Sequence, residues 1–140
     1  MQIDKNLTNI LLHYVLGTQK ETPMLIDPHM RKLLFEVVCQ IGREYGFEIR
    51  CVGGCYDHLH LIIELDKKQK VDYIAHTIQE MTRKYFLNEY SLDLNWKDCF
   101  LAFSVGVSEY TSLKQHILDD SNHKNYSDEY IDIARLVLKI

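Results

Sequence analysis

The segment His58–Leu65, which reads HLHLIIEL, constrains the fold of this chain more than any other stretch. Side chains along a β-strand point alternately to the two faces of its sheet. One face of this segment is therefore entirely apolar, with Leu59, Leu61, Ile63 and Leu65. The other face carries His58, His60, Ile62 and Glu64. This alternation predicts a strand whose leucine face packs on the core and whose histidine face is the more open one.

The other segments show strand and helix patterns in a definite order. β-Branched and aromatic runs predict strands over Leu7–Val15, Phe47–Val52 and Phe100–Val107, with a turn at Gly53 and Gly54. Helical spacing predicts helices over His29–Tyr45, Val71–Phe86, Glu109 to about Asp120, and from Asp128 onward, the last two capped by Ser108 and Ser127. The order predicts an α+β, ferredoxin-like split β-α-β fold: an antiparallel sheet with helices on one face, followed by C-terminal helices.

Composition sets the size and the charge of this domain. The 140 residues are 46% hydrophobic, which predicts one domain over residues 1–140 with a sizeable core. The amino terminus lacks the zones of a signal peptide, and no apolar run approaches the ~20 residues that cross a bilayer. We therefore expect a cytoplasmic protein without a membrane partner. The 16 basic residues are outnumbered by 20 acidic ones, which argues against tight non-specific binding to nucleic acid but allows a local basic groove.

The two imidazoles on one strand face suit a single divalent ion. His58 and His60 lie about 7 Å apart along the strand, so a ring nitrogen from each can converge on one ion. Asp57 can orient a ligand histidine through its second ring nitrogen. Cys55 offers another ligand in a Cys-x-x-His-x-His cluster, which would favour a zinc-dependent hydrolase or a structural zinc protein. The alternatives are a histidine pair without a metal and a buried, inert thiol.

Four segments occur in an order that is typical of a known family. They are an amino-terminal strand, a helix that ends in REYGFEI, the strand DHLHLIIEL, and a segment AFSVGVS that follows Trp96 and leads into a helix. Over nearly its whole length the chain resembles the small single-tyrosine transposases of the insertion sequence 200 type, a branch of the HUH nucleases.

This resemblance implies a reaction and its partners. In the family, the histidine pair holds Mg²⁺ or Mn²⁺ against a phosphate of single-stranded DNA. A tyrosine on the helix after the last strand attacks the phosphorus and forms a 5′-phosphotyrosine link. A glutamine one turn later completes the metal site. The proteins are homodimers, in which the helix tyrosine can act on the partner's histidine pair, and they recognise DNA hairpins.

The tyrosine segment of the family is altered in this chain. The family has Arg-Tyr-Ile-x-x-Gln, whereas this sequence reads Gln115-His116-Ile117-Leu118-Asp119-Asp120. His116 therefore occupies the tyrosine position and Asp120 the glutamine position. The two share one helix face, and the Asp120 carboxylate can serve as a metal ligand. Candidates for a substitute nucleophile are Tyr110, Tyr126 and Tyr130, with ordinary aromatic packing as the alternative for each.

The predicted DNA contacts are basic residues after the histidine strand and on the following helix, namely Lys67, Lys68, Lys70, Arg83 and Lys84. Two functions follow from these observations. The first is metal-dependent cleavage and joining of single-stranded DNA hairpins by a substitute nucleophile. The second is a catalytically inactive descendant that binds DNA or acts as a dimeric interaction module. The altered residues at positions 116 and 120 and the acidic charge favour the second.

Overall fold

The structure is a computed structural model that describes residues 9–19, 27–119 and 126–138. The strands in these ranges are β1 (Leu11–Gly17), β2 (Glu48–Cys55), β3 (His58–Glu64) and β4 (Leu101–Val105). The α-helices are α1 (Pro28–Tyr45), α2 (Val71–Tyr90), α3 (Tyr110–Leu118) and α4 (Tyr126–Leu138), and a 3-10 turn over Val107–Glu109 precedes α3. None of the described helices combines the length and the apolar character that a bilayer crossing requires.

The four strands form one antiparallel sheet in the order β2-β3-β1-β4. The histidine strand β3 is therefore central and lies between β2 and β1. In the two ladders, His58 pairs with Cys55 of β2 and with Gly17 of β1. This topology confirms the predicted α+β class and the split β-α-β order.

Helices α1 and α2 cover the leucine face of the sheet. Leu59 and Leu61 of β3 are completely buried in this core, and each such side chain contributes about 1.5–3 kcal/mol through removal of apolar surface from water. Helix α1 begins where the Asp27 carboxylate accepts the backbone N–H of His29 at 2.9 Å. It ends at Gly46, whose φ of 74° is a left-handed conformation that glycine adopts without strain.

The expectation that the histidine face is open is wrong. His58 and His60 are 0% and 2% exposed, respectively, because α3 and α4 lie on this face. Ile117 of α3 is buried in a second apolar cluster, whose other buried members are Leu11, Cys51 and Ile62. These apolar side chains share the face with the histidines and need a covering layer of their own. The sheet therefore has helices on both faces.

The two predicted helix caps also differ from the structure. Ser127 lies inside α4, which begins one residue earlier at Tyr126. Among the described residues, no side chain caps the amino terminus of α3. The Tyr126 backbone N–H donates instead to the Asp57 carboxylate at 3.1 Å. This contact joins residues far apart in sequence, so no local pattern indicates it.

Gly53 and Gly54 lie within β2, and the turn before β3 is formed by Tyr56 and Asp57. Gly53 pairs with His60 in the β2–β3 ladder. A Cβ atom at position 53 would overlap the backbone carbonyl oxygen of Ile117. The missing side chain at Gly53 therefore allows α3 to approach the sheet closely.

We predict that Gly53→Ala lowers the free energy of unfolding by about 1–3 kcal/mol, because α3 must move away from the sheet. The measurement is urea unfolding followed by circular dichroism. The matched control is Gly106→Ala, where the added Cβ would meet the end of the flexible Glu109 side chain instead of a backbone atom. Equal stability of the two variants would contradict this account of the packing of α3.

Candidate functional site

Three side chains bring their donor atoms together above the start of β3. The Oε2 atom of Glu129 lies 2.8 Å from Nε2 of His58 and 2.9 Å from Nε2 of His60. The two Nε2 atoms are 3.1 Å apart. The histidines come from β3, whereas Glu129 comes from the first turn of α4. We refer to these three residues as the His-His-Glu cluster.

The spacing of the cluster suits one divalent cation. Two ligands at a right angle, each about 2.1 Å from an ion, are about 3.0 Å apart. The buried Oε2 atom of Glu129 accepts no hydrogen bond of good geometry from the described residues, despite the short distances to both imidazoles. A cation would satisfy this oxygen and both nitrogens at once. The His-His-Glu cluster therefore fits a divalent metal ion, and all three of its residues are buried.

Asp57 connects the histidine strand to α4. Its Oδ1 atom lies 2.6 Å from Nδ1 of His58, and its Oδ2 atom accepts the backbone N–H of Tyr126. Burial alone would raise the pKa of Asp57, but the hydrogen bonds from His58 and Tyr126 hold it below its usual value. The ionised carboxylate at the start of α4 also interacts favourably with the helix dipole. Asp57 thus orients His58 with its Nε2 atom towards Glu129.

The charges in the cluster are strongly coupled. Burial alone would lower the pKa of His58, but contacts with Asp57, Cys55 and Glu129 outweigh burial and raise it to about 11. Burial alone would raise the pKa of Glu129, and the two imidazoles hold it well below its usual range. The carboxylates of Asp57 and Glu129 therefore surround His58 with negative charge. The same charge favours a bound cation, which must displace the proton that the raised pKa keeps on Nε2 of His58.

Cys55 lies beside His58 rather than beside His60. Its Sγ atom is 3.2 Å from Nδ1 of His58 and 3.5 Å from Oδ1 of Asp57. Among the described residues, the two groups with metal-ligand spacing are Cys55 with Asp57 and His58, and the His-His-Glu cluster. The structure therefore does not group Cys55 with both histidines, as the zinc hypothesis required.

The ring of Tyr126 lies next to the cluster. Its centroid is 6.2 Å from that of His58. The ring packs over Gly17, where an added Cβ atom would approach it to 2.7 Å. Because Gly17 pairs with His58 in the sheet, the missing side chain at position 17 makes room for this aromatic ring. The Nζ atom of Lys97 lies 5.2 Å from the ring centroid.

The residues predicted to replace the family tyrosine and glutamine lie away from the His-His-Glu cluster or outside the described residues. His116 is exposed near the end of α3, and the metal-ligand groups of the described residues do not include it. Tyr110 packs against the cluster of Leu11 and Ile62. Asp120 lies outside the described residues. The functional roles of His116, Tyr110 and Asp120 stay predictions.

The predicted DNA contacts were Lys67, Lys68, Lys70, Arg83 and Lys84. The three lysines follow the end of β3 that carries Glu64, which lies six residues, or about 20 Å, from His58. Arg83 and Lys84 lie on α2, at the leucine face, and form exposed ion pairs with Asp93 and Glu80. The part of these five residues in DNA binding stays a prediction.

Two contributors to the site, Glu129 and His13, are not among the residues predicted from the sequence. His13 of β1 is buried, and its Nε2 atom lies 2.7 Å from Nδ1 of His60. A signal for His13 exists, because β1 neighbours β3 in a split β-α-β sheet and strand alternation gives the face of each side chain. For Glu129, helical spacing places it on one face with Tyr126 and Tyr130. That spacing does not indicate what the face contacts.

Residues 6–120 match the family model described as transposase, IS200 like. The chain belongs to the IS200-like transposase family. This match confirms the resemblance that the histidine strand and the AFSVGVS segment indicated. It ends before α4, so Tyr126 and Glu129 lie outside the matched residues. No curated protein matches the sequence.

Two solved structures share the fold of this chain. One is described as a putative transposase from Deinococcus radiodurans R1; it is 13% identical, has a TM-score of 0.66, and the match covers 84% of this chain and 95% of that one. The other is the REP-associated tyrosine transposase bound to a REP hairpin; it is 15% identical, has a TM-score of 0.58, and the match covers 84% of this chain and 70% of that one. At these identities the similarity concerns the fold.

We predict that Glu129→Gln weakens Mn²⁺ binding at least about tenfold, since it replaces the charged oxygen that faces both imidazoles. The measurement is the loss of the free Mn²⁺ signal in electron paramagnetic resonance during a titration. Asp128→Asn is the matched control, because Asp128 is the exposed neighbour on the same helix and the change in charge is identical. Equal affinities for the two variants would exclude Glu129 as a ligand.

Proposed function

We propose that this protein binds single-stranded DNA hairpins and cleaves and rejoins the strand in a reaction that depends on Mg²⁺ or Mn²⁺, with Tyr126 as the nucleophile. The observation that carries the proposal is the placement of α4. This helix brings a phenol and a carboxylate, from Tyr126 and Glu129, to the histidine pair of the same chain. The two residues are three positions apart and lie on one helix face.

The contacts support a separate role for each residue of the proposed site. His58, His60 and Glu129 would hold the ion, and Asp57 would keep His58 oriented towards it. The bound metal supplies stabilisation of the charge on the phosphate oxygens. Lys97, whose ammonium group lies above the Tyr126 ring, places a positive charge where a DNA phosphate would meet the phenol. Lys97 thus supplies one positive charge beside a cluster that carries the carboxylates of Asp57 and Glu129.

The chemical step exchanges one phosphate ester for another. The Tyr126 oxygen forms a bond to phosphorus, and the bond between phosphorus and the 3′ oxygen of the preceding nucleotide breaks. The phenol loses one proton and the 3′ oxygen gains one. The products are a 5′-phosphotyrosine link and a free 3′ hydroxyl, and the reverse reaction rejoins a strand.

Because the site is buried, the proposed reaction requires a route by which DNA reaches it. His58 and His60 are buried, and the Tyr126 side chain is only 4% exposed. Tyr126 lines a surface cavity of about 320 Å³ together with Lys97, Cys99, Ser127, Tyr130 and Ile131. We propose that DNA enters from this cavity and that α4 shifts to admit a phosphate to the metal.

Hairpin binding without cleavage is the second candidate function. The complete burial of His58 and the histidine at position 116, in place of the family tyrosine, favour it. The family membership and the neighbour bound to a REP hairpin support DNA as the partner in both cases. The homodimer, the cytoplasmic location and the single domain over residues 1–140 stay predictions.

We predict that the protein forms a covalent adduct with a labelled single-stranded hairpin in Mn²⁺ and that Tyr126→Phe abolishes it, because phenylalanine lacks the attacking oxygen. The measurement is a denaturing gel. Tyr130→Phe is the matched control: Tyr130 is exposed, lies one turn later on α4, and its tilted ring has its centroid 6.2 Å from that of Tyr126.

The outcomes separate the two candidate functions. An adduct that persists in Tyr126→Phe would assign the nucleophile to another residue. An adduct formed by His116→Tyr alone would place the reaction at the family position on α3. Hairpin binding by every variant without any adduct would leave the second candidate function.

A further inference from the structure

We propose that His13 of β1 is a positioning residue for the metal site, which keeps the proton of neutral His60 on Nδ1 and so directs the lone pair of its Nε2 atom at the place of an ion. This inference rests on the metal site proposed above. His13 is 4% exposed, and its Nε2 atom lies 2.7 Å from Nδ1 of His60. His13 therefore contacts the nitrogen of His60 that faces away from Glu129.

The strand register explains this contact. Val15 pairs with His60, and His13 pairs with Ile62 across the β1–β3 ladder. His13 is thus the diagonal neighbour of His60 on the same face of the sheet. On its other side, the His13 ring packs edge-on against Phe103 of β4, with centroids 4.7 Å apart. The β-sheet itself therefore holds the His13 ring against His60.

The tautomer of His60 decides whether it can bind a metal. If Nδ1 of His60 donates its hydrogen to Nε2 of His13, then Nε2 of His60 keeps a lone pair for the ion. If His13 donates instead, the hydrogen of neutral His60 lies on Nε2 and points at the place of the ion. The 3.1 Å separation of the two Nε2 atoms of His58 and His60 leaves space for at most one hydrogen between them.

The two ligand histidines are then supported by different groups. The Asp57 carboxylate accepts from Nδ1 of His58. In the proposed tautomer, the neutral imidazole of His13 carries its own hydrogen on Nδ1 and accepts from Nδ1 of His60 through Nε2. Metal-bound histidines require an acceptor at the second nitrogen, because this acceptor sets both the tautomer and the ring orientation. Both Nδ1 atoms are thereby occupied, and both Nε2 atoms face Glu129.

Nitrogen-15 NMR of the histidine rings tests this inference directly. In the metal-free protein, titrated from pH 6 to 9, the neutral form of His60 is expected to carry its proton on Nδ1. In His13→Phe, which keeps a planar ring but has no acceptor, we expect a mixture of tautomers. His13→Gln restores an acceptor oxygen and should return His60 to the Nδ1 form. A neutral His60 protonated on Nε2 in the unmodified protein would overturn the inference, whether or not any variant folds.

Mn²⁺ affinity supplies the second measurement. We expect His13→Phe to weaken Mn²⁺ binding about tenfold and His13→Gln to recover most of it. Phe103→Leu is the packing control, because it removes the ring contact of His13 but keeps the hydrogen bond between His13 and His60. Its Mn²⁺ affinity should stay within about twofold of that of the unmodified protein, a much smaller change than the loss expected for His13→Phe. Equal losses in His13→Phe and His13→Gln would overturn the role of the acceptor. An unmodified protein that binds no Mn²⁺ but holds His60 in the Nδ1 form would contradict the metal site and support the action of His13 on the tautomer.

Discussion

The carboxylate of Asp57 is the group on which the rest of the site depends. One of its oxygens orients the His58 imidazole, and the other accepts the first backbone N–H of α4. The backbone carbonyl of the same residue accepts from the backbone N–H of Thr18 at the end of β1. A buried carboxylate is stable only when its oxygens are paired in this way. Removal of Asp57 would therefore disturb the histidine and the helix together.

The placement of α4 turns a histidine pair into a site with three donors. Glycines on the neighbouring strands make this possible, since Gly17 leaves space for Tyr126 and Gly53 leaves space for Ile117. The helix then brings Glu129 over both imidazoles. In the family, the third ligand and the tyrosine belong to the helix that follows the last strand. The proposed site instead takes both groups from the next helix, α4, which lies beyond the residues that match the family model.

Much of the fold could be predicted from the sequence, because it depends on local patterns. The alternation in β3 indicated its buried leucine face, and the order of strands and helices indicated the topology. The sequence did not indicate that α3 and α4 cover the histidine face. Such docking depends on contacts between distant residues, such as Tyr126 with Asp57 and Gly17.

The site, like the fold, combines residues that local sequence patterns single out with residues that only long-range packing brings together. His58, His60 and Asp57 are close in sequence, so strand geometry and short spacing were enough to single them out. Glu129 is remote from them along the chain and reaches them only through the packing of α4. His13 is also remote, although the predicted topology places its strand beside β3. The contact of Glu129 depends on how a distant helix docks, and such docking has no signature in a single sequence.

The proposed chemistry depends on one divalent ion that binds between His58, His60 and Glu129. Anomalous diffraction from crystals grown with Mn²⁺ would locate this ion. We expect one strong peak about 2.2 Å from Nε2 of each histidine and from a carboxylate oxygen of Glu129. A peak on the side of Cys55 and Asp57, a peak that Glu129 does not reach, or no peak at this position would contradict this expectation.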